Sequence, residues 1–243
     1  VRCLRRIAVA AAPLVALAML AGSLPDSLAV TSEPIQLGTS VQGRPIEAVR
    51  LGDPDSPRKA LVVGVLHGDE AAGLRVTKLL RGGFADLTDV DLWVVDAANP
   101  DGLSAHRRGN AHGVDLNRNF SYRWRPGRRD GYYPGTSPYS EPESAAMRDL
   151  ITQIQPQVSV WFHQPWDAVL APCHAAAPIE KRYARIAHMR RSCRGAKLHG
   201  TAIQWQNHTF PGTTAVVVEL PPGKISEGLA RRNARAVAAV AAG

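Results

Sequence analysis

The sequence predicts a single three-layer α/β domain, and three observations carry that expectation. Four short β-rich apolar runs, Leu61–Leu66, Asp91–Asp96, Val158–Phe162 and Ala215–Val218, are bounded by Gly, Pro, Asn or Asp. Helical patterns follow some of these runs, and strands alternating with helices bury a sheet between helical layers. A polar residue also stands at the carboxyl end of each run: His67, Asn99, His163 and Glu219. In an open α/β sheet those ends form the ligand crevice.

Taken in order, residues 1–29 read as a secretory signal peptide. Arg2, Arg5 and Arg6 precede the apolar run Ile7–Ala21, and the small-residue exit is Ser27-Leu28-Ala29. The run holds 15 residues and Pro13, whereas a membrane helix needs about 20. A retained anchor is the alternative, and Arg5-Arg6 leaves a twin-arginine route open beside the general one. Cleavage after Ala29 leaves residues 30–243 as one catalytic-sized domain, secreted or in the cell envelope. It removes three arginines and Asp26, so the net charge falls from +8 to +6. Cys173 and Cys193 are then the only cysteines, expected to form one disulfide in an oxidising compartment, with two buried thiols as the alternative.

A weak strand pair around Ile35 and over Pro45–Leu51 flanks the turn-like Val41-Gln42-Gly43-Arg44. Helices are expected over Glu70–Leu80, over Glu141–Ile154 behind a capping box at Ser140-Glu141-Pro142-Glu143, over Pro178–Arg191, and over Ser226–Ala242 with Ser226 as cap. Asn99–Tyr139 lacks periodicity and reads as a functional loop region; Thr201–Thr214 reads as a second irregular stretch. With 45% apolar and 21% charged residues in a chain of 243, disordered, collagen-like and coiled-coil classes are excluded. No basic helix with interleaved aromatics points to nucleic acid, and nothing specifies an oligomer.

His67 and His163 leave separate strands at one sheet edge, and Glu70 follows His67 by three residues at a strand-to-helix turn. Two imidazoles and one carboxylate with a fourth position open is the usual arrangement of catalytic zinc, which acidifies water and polarises a scissile carbonyl. Each residue alone has a plainer explanation, since a buried histidine is commonly satisfied by a backbone carbonyl. Glu219 closes an apolar strand, where a charge is costly unless paired or used. As a general base it would take a proton from water and hand it to the leaving nitrogen. The loop Arg108-Gly109-Asn110-Ala111-His112-Gly113-Val114-Asp115-Leu116-Asn117-Arg118-Asn119-Phe120 groups arginine and asparagine donors suited to a carboxylate or oxyanion. The arginines Arg123, Arg125, Arg128 and Arg129 just beyond it either attract multiply carboxylated substrates or form a solvated loop.

These motifs, together with Gly38–Ile46, Asn99-Pro100-Asp101-Gly102 and Glu219-Leu220-Pro221 in that order, resemble the zinc carboxypeptidase family related to carboxypeptidase A. Within it they are most similar to the compact bacterial murein peptide amidases. The resemblance implies a three-layer fold around a mixed, mostly parallel sheet, one Zn2+ per chain, and cleavage of the γ-D-glutamyl–diaminopimelate bond of peptidoglycan stem peptides. It implies that His67, Glu70 and His163 bind zinc, and that Glu219 is base and proton shuttle. Arg108 would stabilise the oxyanion, Asn117 and Arg118 would hold the substrate's free carboxylate, and Asp115 would orient a zinc-binding histidine. The chain departs from the family in having no tyrosine after Tyr183, so the mobile tyrosine's role is vacant or taken within Thr201–Thr214. Gln164-Pro165 follows His163 where many relatives carry serine. Alternatives are a metallocarboxypeptidase trimming ordinary peptides, a non-catalytic peptide-binding module, and an acyl-amino-acid deacylase.

Overall fold

A computed structural model describes residues 33–85, 87–171, 177–193 and 198–243. The expected signal segment and Cys173 lie outside the described residues; Cys193 is disulfide-bonded. No helix among the described residues is long and apolar enough to cross a membrane.

Among the described residues eight strands form one sheet. They are β1 (Ile35–Thr39), β2 (Pro45–Gly52), β3 (Lys59–Val65), β4 (Asp91–Ala97), β5 (Val158–His163), β6 (Ala168–Leu170), β7 (Arg190–Ser192) and β8 (Thr214–Glu219). Their spatial order is β1-β2-β4-β3-β5-β8-β6-β7. The central strands β4, β3, β5 and β8 are parallel, as is the β6–β7 pair, while β1–β2, β2–β4 and β8–β6 are antiparallel. The sheet is therefore mixed with a parallel centre, in keeping with the expected class.

The pleat sorts the central side chains onto two faces. Val62, Val160, Phe162, Val216 and Val218 pack under α1 (Gly73–Arg81), α4 (Pro178–Ala187) and α6 (Glu227–Ala241), meeting Val76, Leu80, Tyr183 and Val237. Leu61, Val63, Trp161 and Ala215 face the other way, onto Met147, Leu150 and Ile151 of α3 (Pro142–Ile154) and Trp205 of α5 (Ala202–Thr209). Both faces being covered explains why these strands read as continuous apolar runs. A short helix α2 (Pro100–Ala105) follows β4, its first turn capped by Asn99 Oδ1, which accepts from Gly102 N at 2.8 Å.

Several expected elements differ. The first helix begins at Gly73 rather than Glu70, because residues 67–72 form turns that leave Glu70 facing His67. The capping box does not form. Glu141 is the N-cap of α3 and its side chain caps nothing; its carboxylate instead accepts from Asn110 Nδ2 and pairs with His112 Nδ1, each at 2.7 Å. Helix α4 ends at Ala187, where His188 turns left-handed at φ 55°, and the residues expected to continue it form β7. Thr201–Thr214 is not irregular: Thr201 Oγ1 accepts from Gln204 N and opens α5. The hairpin turn after β1 is fixed to α2 by Asp101, which accepts from Ser40 Oγ at 2.7 Å and Gln42 N at 2.9 Å and pairs with Arg44.

Candidate metal centre

The parallel strands deliver their carboxyl ends to one edge. His67 and Glu70 follow β3, His163 ends β5, and Glu219 ends β8 directly opposite His163 in the ladder. Glu70 Oε2 lies 2.9 Å from His67 Nδ1 and 2.8 Å from His163 Nδ1, and the two Nδ1 atoms are 3.1 Å apart. Among the described residues this is the one His/Glu group compact enough to share a cation.

Three lone-pair atoms facing one another at these separations call for a positive centre between them. A tetrahedral ion with bonds of 2.0–2.1 Å needs ligand atoms about 3.3 Å apart, so zinc fits with an adjustment of a few tenths of an ångström. The tautomers agree with that fit. His67 Nε2 lies 3.1 Å from Asp115 Oδ1, so the proton sits on Nε2 and the Nδ1 lone pair points inward. His163 Nε2 is buried without a partner among the described residues, and burial lowers the pKa of this imidazole, which favours the neutral ligand form. Burial also opposes the charge on Glu70, but contact with the His163 and His67 imidazoles holds the carboxyl well below the usual range.

Asp115 is fully buried. Burial opposes its charge, yet His67, Arg108 and Arg118 hold its pKa well below the ordinary value. Besides His67 it accepts from Asn117 N at 2.9 Å and from Arg108 Nε at 3.1 Å. Arg108 Nη1 reaches Glu70 Oε1 at 3.0 Å, which places one guanidinium beside the metal ligands while Asp115 fixes its other edge. Gly68, between the two ligands, has no room for a side chain: a Cβ there would lie 1.9 Å from the Gly102 carbonyl carbon. This close approach sets α2 against the ligand turn.

Glu219 has a different environment. One oxygen accepts from the Trp166 backbone N–H, while Oε2 is buried without a partner among the described residues. Burial, followed by the charge of Glu70, raises its pKa to about 7. A carboxyl poised there can gain and release a proton near neutrality.

Asn117 Oδ1 accepts from Ala202 N at 3.1 Å, which leaves the amide NH2 as its donor end. Arg118 donates from Nη1 to Asn117 O at 2.6 Å. It is partly buried, and no carboxylate among the described residues lies within ion-pair distance of it. Burial and the charge of Arg108 lower its pKa, although arginine keeps its proton throughout. Asp115 lies near enough to act on it electrostatically but not in contact, so a guanidinium largely shielded from water has its donors open to an incoming anion. The structure thus brings His67, Glu70, His163, Glu219, Arg108, Asp115, Asn117 and Arg118 to one edge of the sheet.

Two neighbours have no clear signal in the sequence. Gln164 Nε2 donates to Pro221 O at 2.6 Å and Gly223 O at 2.9 Å, while its Oε1 accepts from Ala72 N at 3.0 Å. It therefore ties the start of α1 to the chain after β8. The Tyr132 ring lies 5.1 Å from Arg108 Cζ and 5.6 Å from Arg118 Cζ, in a stretch without periodicity. Arg123, Arg125, Arg128 and Arg129 are exposed, with Arg123 over Tyr122 and Arg129 over Tyr133.

Residues 25–211 match the zinc carboxypeptidase family. Murein peptide amidase A of Escherichia coli (strain K12) is 34% identical over 153 residues, covering 57% of this chain and 62% of that protein. The chain thus spans less than two thirds of this curated relative. Carboxypeptidase SOL1 of Arabidopsis thaliana is 27% identical over 155 residues, 54% of this chain and 30% of that one. Among solved structures, the murein-tripeptide amidase of Escherichia coli O157 superposes with a TM-score of 0.72 at 27% identity, covering 90% of this chain and 96% of that one. Carboxypeptidase A of Helicoverpa armigera shares the fold, with a TM-score of 0.71 at 20% identity over 86% and 68% of the two chains.

Proposed function

Because the chain belongs to the zinc carboxypeptidase family, we propose that it is an exported zinc peptidase that cleaves an amide bond next to a residue bearing a free carboxylate, in peptidoglycan stem peptides. The observation that carries this reading is the triad of inward-facing atoms, Glu70 Oε2 and the Nδ1 atoms of His67 and His163, within 3.1 Å of one another. Zinc held there supplies Lewis acidity toward the scissile carbonyl and acidifies water.

The protein's own groups complete the chemistry. Arg118 and the NH2 of Asn117 bind the carboxylate of the terminal residue, which positions the bond before it. Arg108, its guanidinium fixed by Asp115, donates to the oxygen that becomes negative as the carbonyl is attacked. Glu219 accepts the proton of the attacking water through its unpartnered Oε2 and delivers it to the leaving nitrogen.

The stem-peptide substrate is supported by the similarity to proteins named murein peptide amidase and murein-tripeptide amidase. Export is supported by the basic-apolar-small pattern of residues 1–29 and by the disulfide at Cys193, a bond that persists in oxidising compartments. The test is mass-spectrometric identification of products from L-Ala-γ-D-Glu-meso-diaminopimelate and from linear L-peptides. Release of diaminopimelate from the first is expected; cleavage of the linear peptides alone would replace this substrate with ordinary C-termini. Glu219→Gln should abolish turnover with zinc still bound, and undiminished hydrolysis by that variant would end its assignment as the base.

A further inference from the structure

Tyr132 is the most exposed large aromatic side chain among the described residues, at 61%, whereas the adjacent Tyr133 is at 8%. Exposure of one ring is unremarkable in itself. Its surroundings are not: the ring lies against Arg108 and Arg118 together, at 5.1 and 5.6 Å. No hydrogen bond to its hydroxyl is formed among the described residues, so the ring rather than the oxygen makes the contact.

The backbone that carries the ring is anchored. Tyr132 N donates to Asp130 Oδ1 at 2.8 Å, Tyr133 N donates to Asp130 O at 3.1 Å, and Tyr133 O accepts from Asp115 N at 2.8 Å. The same Asp115 that orients His67 and Arg108 therefore places the residue beside Tyr132. A ring against two like-charged guanidiniums attracts both through its negative face. It also does something that a carboxylate in its place would not: it holds Arg118 without neutralising it. Arg118 is thereby kept in position and kept unpaired.

Resting on the reading of Arg118 as the carboxylate receptor, we propose that Tyr132 is a positioning residue. It orients the Arg118 guanidinium for an incoming peptide carboxylate and separates it from Arg108 at the scissile bond. The consequence is a division of labour visible in kinetics. Removing the ring loosens ground-state capture of the carboxylate more than it slows the chemical step, because Arg108 retains Asp115 and Glu70 as partners.

The experiment uses the full chain with zinc bound. KM and kcat for the stem tripeptide are measured for the parent, Tyr132→Ala, Tyr132→Phe and Tyr132→Glu. In parallel, the Kd of the same tripeptide is measured by calorimetry in a Glu219→Gln background, where the peptide is not consumed. Tyr132→Ala is expected to raise KM and Kd about 5- to 20-fold with kcat changed less than about 3-fold. Tyr132→Phe should restore parental values, and Tyr132→Glu should weaken binding beyond the alanine variant by pairing Arg118 internally. Zinc content and unfolding midpoint should stay at parental values throughout.

Equal Kd for the parent and Tyr132→Ala overturns the proposal, as does a phenylalanine variant as defective as alanine, which would transfer the role to the hydroxyl. Failure of the functional reading looks different: the Glu219→Gln chain binds the tripeptide and discriminates the Tyr132 variants, yet the parent releases no diaminopimelate. Absence of tripeptide binding by the Glu219→Gln chain overturns both.

Discussion

Asp115→Asn isolates the support of the metal ligands from the ligands themselves. The carboxylate accepts from His67 at 3.1 Å, from Asn117 N at 2.9 Å and from Arg108 Nε and Nη2 at 3.1 and 3.0 Å. An amide of the same shape has one accepting oxygen. If that oxygen stays with His67 and Asn117, its NH2 faces the donors of Arg108; if it turns to Arg108, His67 loses the partner that fixes its tautomer. Either arrangement leaves the Nδ1 lone pair of His67 less basic and less well aimed. Losing such a supporting partner weakens metal binding about 10- to 100-fold, or about 1.4–2.7 kcal/mol. The assay is competition for zinc against a chromophoric chelator, with the unfolding midpoint of the metal-free protein measured alongside. An unchanged zinc Kd in a folded Asp115→Asn variant would refute the role given to Asp115.

Three further perturbations test the same geometry. Glu219 must be ionised to accept a proton, so kcat/KM should rise with pH through its pKa. Burial sets that pKa at about 7 and the charge of bound zinc opposes the shift, so the acid limb is expected between 4.5 and 7; rates that stay level below 4.5 would contradict it. Gly68→Ala drives a Cβ to within 2.1 Å of the Gly102 carbonyl oxygen, so the ligand turn and α2 must separate. A loss of about 1–3 kcal/mol in urea unfolding together with weaker zinc binding is expected, and an unaltered protein would show that the turn has slack. Gln164→Ala removes one hydrogen bond to the residue that opens α1 and two to the chain after β8, each with a net value of about 1 kcal/mol. The midpoint should fall by about 6–12 °C, and a change under 1 °C would show that these bonds carry no net stability.

The parts of the fold that were legible in the sequence are those governed by burial on two faces. β3, β4, β5 and β8 are short apolar runs because helices cover both sides of them, and the residues ending β5 and β8 or following β3 had to meet at one edge. That constraint made His67, Glu70, His163 and Glu219 readable as a group. The strands β6 and β7 were not, since three-residue elements carry no period, and Arg190–Ser192 continues the helical pattern of α4 past the left-handed turn at His188. Helix α5 was hidden by Gln204, Gln206, Asn207 and His208, polar residues that suggest a loop, although Thr201 carried the capping signal. At Ser140–Glu143 a local motif yielded to tertiary demand, because Asn110 and His112 claim Glu141. Tyr132 and Gln164 act through partners distant in sequence, which no spacing rule reveals.

The proposed chemistry depends on one zinc ion held by His67, Glu70 and His163. The direct measurement is elemental analysis of the purified full chain combined with zinc X-ray absorption. One zinc per chain is expected, with two imidazole nitrogens and one carboxylate in its inner sphere. Stoichiometry should fall toward zero in His163→Ala while the fold persists. A chain without zinc after exposure to the metal, or undiminished zinc in His163→Ala, would contradict the account.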